Sequence, residues 1–202
     1  MDDTYKTIEN TSQGIYKEKG SKFISYAIPV GSQGEAKERL EDIRKQHHNA
    51  RHHCFAWAIG KERDDYRVND DGEPSGTAGK PIFGQILSFD ITNVLIVVVR
   101  YFGGTKLGTG GLITAYKSAA ADALNNAKII TRTIRNAYRI HFDYPAMNDV
   151  MRVLKENDIQ QIDRRFELDC TIDFSVRKND TDKILSVFQS LDSIKIEHLY
   201  TI

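Results

Sequence analysis

"VLIVVVRYFGGTKLGTGG", Val94 to Gly111, joins an unbroken aliphatic run to a glycine-rich loop. Aliphatic and β-branched residues without alternation mark a strand covered on both faces, and the run is far too short to cross a bilayer. The strand ends where the glycines begin. Beyond them Leu112, Tyr116, Ala119, Ala120, Ala123 and Ala127 recur at helical spacing, and so many alanines on one stripe allow close approach to a sheet. Thr109 stands where an N-cap is expected. A central strand, a turn and a helix packed on that strand place the middle of a layered structure.

Upstream, "KFISYAIPV" (Lys22–Val30) reads as a strand, and Ala36, Leu40, Ile43 and His47 then mark the apolar face of a helix. "HCFAWAIG" (His53–Gly60) and "YRVN" (Tyr66–Asn69) are further strands, the second leading into "DDGEPSGTAGKP" (Asp70–Pro81). That loop has no apolar period. It serves either backbone shape or polar chemistry. Asp70, Asp71 and Glu73, with Ser75, Thr77 and Lys80, could supply acid–base groups, a hard-cation site or recognition contacts. Asp71-Gly72 and Pro74 are equally what turns require, and Gly79-Lys80-Pro81 suits a helix start.

From Ile134 onward the pattern is strand, helix, strand, strand, helix, strand. Phe166, Leu168, Cys170, Ile172, Phe174 and Val176 are expected along one strand, all on one face. This order is that of a ferredoxin-like βαββαβ unit. Two domains are expected, residues 1–130 and 131–202.

Lys+Arg and Asp+Glu both total 28, so no global charge excess announces nucleic acid or membrane, and any such claim rests on local patches. Cys54 and Cys170 are distant in sequence and are expected as buried thiols in a reducing compartment. "HHNARHHC" (His47–Cys54) lacks the paired spacings of a zinc site. No metal and no cofactor are expected. The opening "MDDTYKTIEN" has no basic start followed by an apolar run, so a cytoplasmic monomer without membrane attachment is the expectation.

The glycine loop is compatible with an anion site at a helix N-terminus, formed by Gly103, Gly104, Gly108, Gly110 and Gly111 with Lys106 and Arg100 nearby. It is neither a Walker loop nor a dinucleotide fingerprint. A tight structural turn is the competing explanation.

"ARHHCFAW" (Ala50–Trp57), "NDDGEPSGTAGKP" (Asn69–Pro81) and "VVVRYFGGTKLGTGGLITAY" (Val97–Tyr116) together resemble the three sequence blocks of the YigZ/IMPACT family, in the same order. The resemblance covers nearly the whole chain. It implies an α+β protein, a ribosomal-protein-type mixed α/β sandwich followed by the ferredoxin-like unit, a pair similar in fold to two successive C-terminal domains of elongation factor G. Eukaryotic relatives regulate translation by competing for the activator of an amino-acid-starvation kinase. The family's motif residues fall here on His52, Cys54, Asp70, Asp71, Gly72, Glu73, Gly76, Thr77, Gly79, Lys80, Pro81, Arg100 and the loop glycines, with no catalytic role attached. The two loops are expected to face each other as one binding surface. The implied function is noncatalytic binding of RNA, the ribosome or a translation-regulatory protein; the alternative is a hydrolase-like enzyme acting on a phosphate-bearing or peptide substrate.

Overall fold

The aliphatic run lies at the centre of a five-stranded sheet in the computed structural model, which describes residues 3–166 and 169–201. In chain order the first unit, Tyr5–Arg132, contains β1 (Thr4–Ile8), β2 (Ser12–Glu18), β3 (Ser21–Pro29), α1 (Gln33–Gln46), β4 (His52–Ile59), β5 (Asp65–Asn69), α2 (Gly79–Ser88), β6 (Val94–Tyr101), α3 (Gly108–Asn125) and β7 (Ile129–Thr133). The sheet order is β2-β3-β6-β4-β5, and every neighbouring pair is antiparallel. Alternate residues of β6 explain its composition. Val94, Ile96 and Val98 pack with α2 and α3, whereas Leu95, Val97 and Val99 pack with α1, so neither face can be polar.

Three strands of this unit were not read from the sequence. β1 and β7 pair as a separate two-stranded ladder. β2 is short of aliphatic residues because α3 lies directly on it: the Ser12 hydroxyl donates to the Ala123 carbonyl at 2.7 Å, and a Cβ on Gly14 would fall 2.3 Å from the Ala123 nitrogen. The alanine stripe of α3 permits this approach. Thr109 does not cap that helix: α3 begins at Gly108, Leu107 occupies the cap position, and no side chain caps it.

The second unit, Thr133–Ile202 with Met1–Thr4, contains β8 (Arg135–Phe142), α4 (Met147–Glu156), β9 (Gln160–Phe166), β10 (Cys170–Arg177), α5 (Thr181–Gln189) and β11 (Ile194–Thr201). Its antiparallel sheet has the order β11-β8-β10-β9, which makes it a ferredoxin-like βαββαβ fold. Tyr138, Ile140, Phe142, Cys170, Ile172, Phe174 and Val176 meet Val150, Val153, Leu154, Ile184 and Phe188 of the helices. The opposite face is polar, with Arg139 held to Asp173 by two hydrogen bonds of 2.6 and 2.7 Å.

Phe166 does not belong to the same strand as Cys170. It ends β9, is half-exposed, and stands opposite Cys170 across a hairpin; Leu168 lies outside the described residues. A twofold apolar period runs through such a hairpin without interruption, because residues that face each other across the ladder share a side of the sheet.

Asp3 belongs to the second unit. Its carboxylate accepts two hydrogen bonds from Arg177, both 2.8 Å, and one from the Asn179 amide. Arg177 holds this carboxyl down at about 2, against the opposing effect of burial. A depressed folded-state pKa stabilises the fold above the ordinary carboxylate range, and that contribution disappears as pH falls towards the folded value. The unfolding midpoint is therefore expected to drop between about pH 4 and pH 2, and Asp3→Asn should flatten that limb in thermal melts followed across the range.

Candidate functional site

Antiparallel register brings four connections to one end of the first unit's sheet. Lys22 pairs with Tyr101, His52 with Arg100, and Phe55 with Asn69. The β2–β3 turn, the start of β4, the Asp70–Ala78 loop and the Phe102–Leu107 loop consequently share that end, together with the N-termini of α2 and α3.

The carboxylates of the acidic loop turn inward. Asp70 Oδ1 accepts from the Ala78 and Gly79 amides at 3.0 and 2.8 Å, and Oδ2 accepts from Gly76 at 2.8 Å. Asp70 thus closes the N-terminus of α2, which has no capping side chain at Ala78 itself. Burial opposes its charge, yet the Gly76, Gly79 and Ala78 amides outweigh it, and the carboxyl stays below its ordinary range. Asp71 has a positive φ of 41°, its amide donates to Asn69 Oδ1, and its Oδ2 accepts from the His53 amide at 2.6 Å. His52 Nδ1 donates to the Asp71 carbonyl at 2.8 Å, which ties the loop to β4.

Glu73 reaches furthest inside. Its Oε1 accepts from Arg100 Nη1 at 2.6 Å and from the Tyr116 hydroxyl at 2.8 Å; the two charged side chains are only 7% and 4% exposed for Arg100 and Glu73. The guanidinium lies 5.4 Å from the Phe23 ring centroid and 5.6 Å from that of Phe102, and Arg100 Nε is buried without a hydrogen-bond partner. Cys54 Sγ lies within hydrogen-bond reach of the Asp70 carbonyl and the Tyr116 hydroxyl. Burial pushes both the Cys54 thiol and the Tyr116 phenol well above their ordinary ranges, so both stay protonated and serve as donors.

The expected site residues therefore separate into two groups. Asp70, Asp71, Glu73, His52 and Arg100 form one interior network, and buried Thr77 donates its hydroxyl to the Pro74 carbonyl. Ser75, Lys80, Gly103, Gly104, Lys106, Gly108 and Gly110 are exposed. Gly111 is partly covered, and a Cβ there would approach Leu107 Cβ at 3.0 Å. Tyr116, Phe23, Asn69 and His53 complete the network although sequence reasoning did not select them. Tyr116 and Phe23 were legible only as core aromatics; the third motif block ending at Tyr116 was the available signal.

The glycines also differ in what requires them. A Cβ on Gly103 would lie 1.9 Å from the Gly20 carbonyl carbon, so this glycine lets the loop touch the β2–β3 turn. Gly110 has no such reason: it lies in the first turn of α3, has no positive φ, and a Cβ there would meet nothing within 4 Å. No acidic residue occurs from Val94 to Ala121. The α3 N-terminus is thus uncapped and free of acidic side chains in its first turn, while that of α2 is closed by Asp70.

Residues 19–124 match the Impact N-terminal domain. The chain is 36% identical to the Bacillus subtilis IMPACT family member YvyE, over 76% of this chain and 71% of that one. It is 37% identical to Escherichia coli YigZ, another IMPACT family member, over 69% and 70% of the two lengths. A solved structure described as a hypothetical protein aligns over 99% of both chains, with a TM-score of 0.76 and 26% identity. The acidic loop, the Arg100–Glu73 pair and the glycine loop all fall within the matched domain, and the chain belongs to the IMPACT family.

Proposed function

We propose that this protein is a noncatalytic binding protein of translation control, and that the exposed glycine loop and α3 N-terminus form its contact surface for an anionic partner. The observation that carries the reading is Gly110. An alanine there meets no steric obstacle and would stabilise the helix, by less than the roughly 1 kcal/mol of a helix interior because Gly110 lies in the first turn, so the fold gains nothing from glycine. Close approach of a partner's atoms to the free amides of α3 does. The acidic loop supports the surface from behind, its carboxylates already engaged by protein donors. Translation enters through the family resemblance, and the partner classes that fit are RNA, the ribosome or a regulatory protein carrying negative charge. Among the described residues no helix is long and apolar enough to cross a membrane.

Gly110→Ala should raise the unfolding midpoint and weaken co-sedimentation with ribosomes at low salt. Lys80→Gln/Lys106→Glu should also weaken sedimentation with only a small loss of stability, since both lysines are exposed and Lys80 is the smallest of the influences that favour the Asp70 carboxylate. Wild-type sedimentation should fall as salt rises. Undiminished sedimentation of both folded variants would overturn the reading.

A further inference from the structure

The β2–β3 turn carries an electrostatic arrangement that the fold does not repay. Lys17 and Lys22 are directly opposed in the ladder, and like charges at such positions repel across about 5 Å and destabilise the pair. Both are exposed, as is Lys19 in the turn between them. Among the described residues none of the three has an ion-pair partner. Glu18, the acid beside them, belongs by strand parity to the other face, that of Phe23 and Arg100, where its carboxylate accepts from the Tyr16 hydroxyl. Burial holds His47 below its ordinary pKa, and the His53 and Lys22 charges push in the same direction.

This turn is joined to the glycine loop. Gly20 and Gly103 are in backbone contact, and the Gly103 amide donates to Ser21 Oγ at 3.2 Å. Lys106 and Phe102 lie in that loop. Phe102 is 52% exposed and joins none of the apolar clusters; Arg100 lies over its ring. A ring held by a cation but excluded from every core cluster is a platform for another flat group.

We propose that the partner at this end of the sheet is single-stranded RNA, with phosphates along Lys17, Lys19, Lys22 and Lys106 and an unpaired base stacked on Phe102. The choice of RNA rests on the contact-surface reading above. Lysines without counter-ions fit a polyanion, and a protruding aromatic fits a base that no complementary strand conceals. An acidic peptide would use the lysines but not the ring.

The test is fluorescence anisotropy on the full chain with a labelled oligouridine strand, an RNA duplex of equal length and oligoglutamate. The single strand is expected to bind most tightly, although the duplex has the denser charge. Its log K against log salt should have a slope of about −3, the value for four neutralised phosphates. Lys17→Gln/Lys22→Gln should make that slope shallower by about 1.4 and, by removing the repulsion, should not lower the unfolding midpoint. Phe102→Ala should weaken single-strand binding roughly tenfold with the slope unchanged. A preference for duplex or oligoglutamate, or an unaltered affinity of Phe102→Ala, would overturn the proposal. Absence of oligouridine binding with ribosome sedimentation intact would overturn it alone; loss of both would remove the contact surface as well.

Discussion

Arg100→Met is expected to destabilise the protein by about 3–5 kcal/mol, because removing one member of a buried ion pair leaves the other charge uncompensated. The stranded group is Glu73, which would retain only the Tyr116 hydroxyl among its present side-chain donors. Methionine fills much of the arginine's volume between Phe23 and Phe102, so the loss reports on charge more than on a cavity. The double variant Arg100→Met/Glu73→Gln should recover most of the stability, since an uncharged pair carries far less desolvation cost. Urea midpoints of the wild type, both single variants and the double variant measure the coupling. A loss below about 1 kcal/mol in Arg100→Met would mean that water reaches the pair and that it behaves as a surface bridge.

Asp70→Ala is the second large effect, at about 2–4 kcal/mol, from the loss of charge-assisted bonds to three amides and of the closure of α2. Asp70→Asn should lose less. An asparagine oxygen can keep the Oδ1 contacts to Ala78 and Gly79, but its amide would face the Gly76 N–H, donor against donor. Graded losses in urea midpoint, Ala greater than Asn, are the expected outcome. Because the Asp70 carboxyl is held below its ordinary range, its contribution is complete above that range and declines as acid protonates it in the folded state. Equal midpoints for wild type and Asp70→Ala would remove Asp70 from its capping role.

The same carboxylates show what a sequence discloses and what it leaves hidden. An alternating or helical period reports which side of an element is buried, and so β6, α1, α3 and the second unit's element order were legible. Period says nothing about where a loop's side chains turn. Asp70, Asp71 and Glu73 invite a reading as surface chemistry because acids in a glycine-rich loop are usually solvated; their inward direction follows from amides and an arginine supplied by distant positions. β1, β2 and β7 escaped for another reason. β1 and β7 have five residues each and little apolar alternation, and in the longer β2 Gly14 occupies the place where a large apolar residue would have marked the covered face. The Phe166–Cys170 hairpin shows a third limit, since facing partners keep the parity that a continuous strand would have.

The attachment of Asp3 to Arg177 gives the chain a particular order of completion. The two residues are 174 positions apart, and a ribosome adding about 5–20 residues per second separates their synthesis by roughly 10–35 seconds. All of Tyr5–Arg132 is made within that interval. The earlier unit is therefore a guest within the chain of the later one, able to assemble while its host's first few residues wait for a partner not yet translated. A probe attached beside Asp3 would report a contact that forms only after the whole of Tyr5–Arg132 has been made.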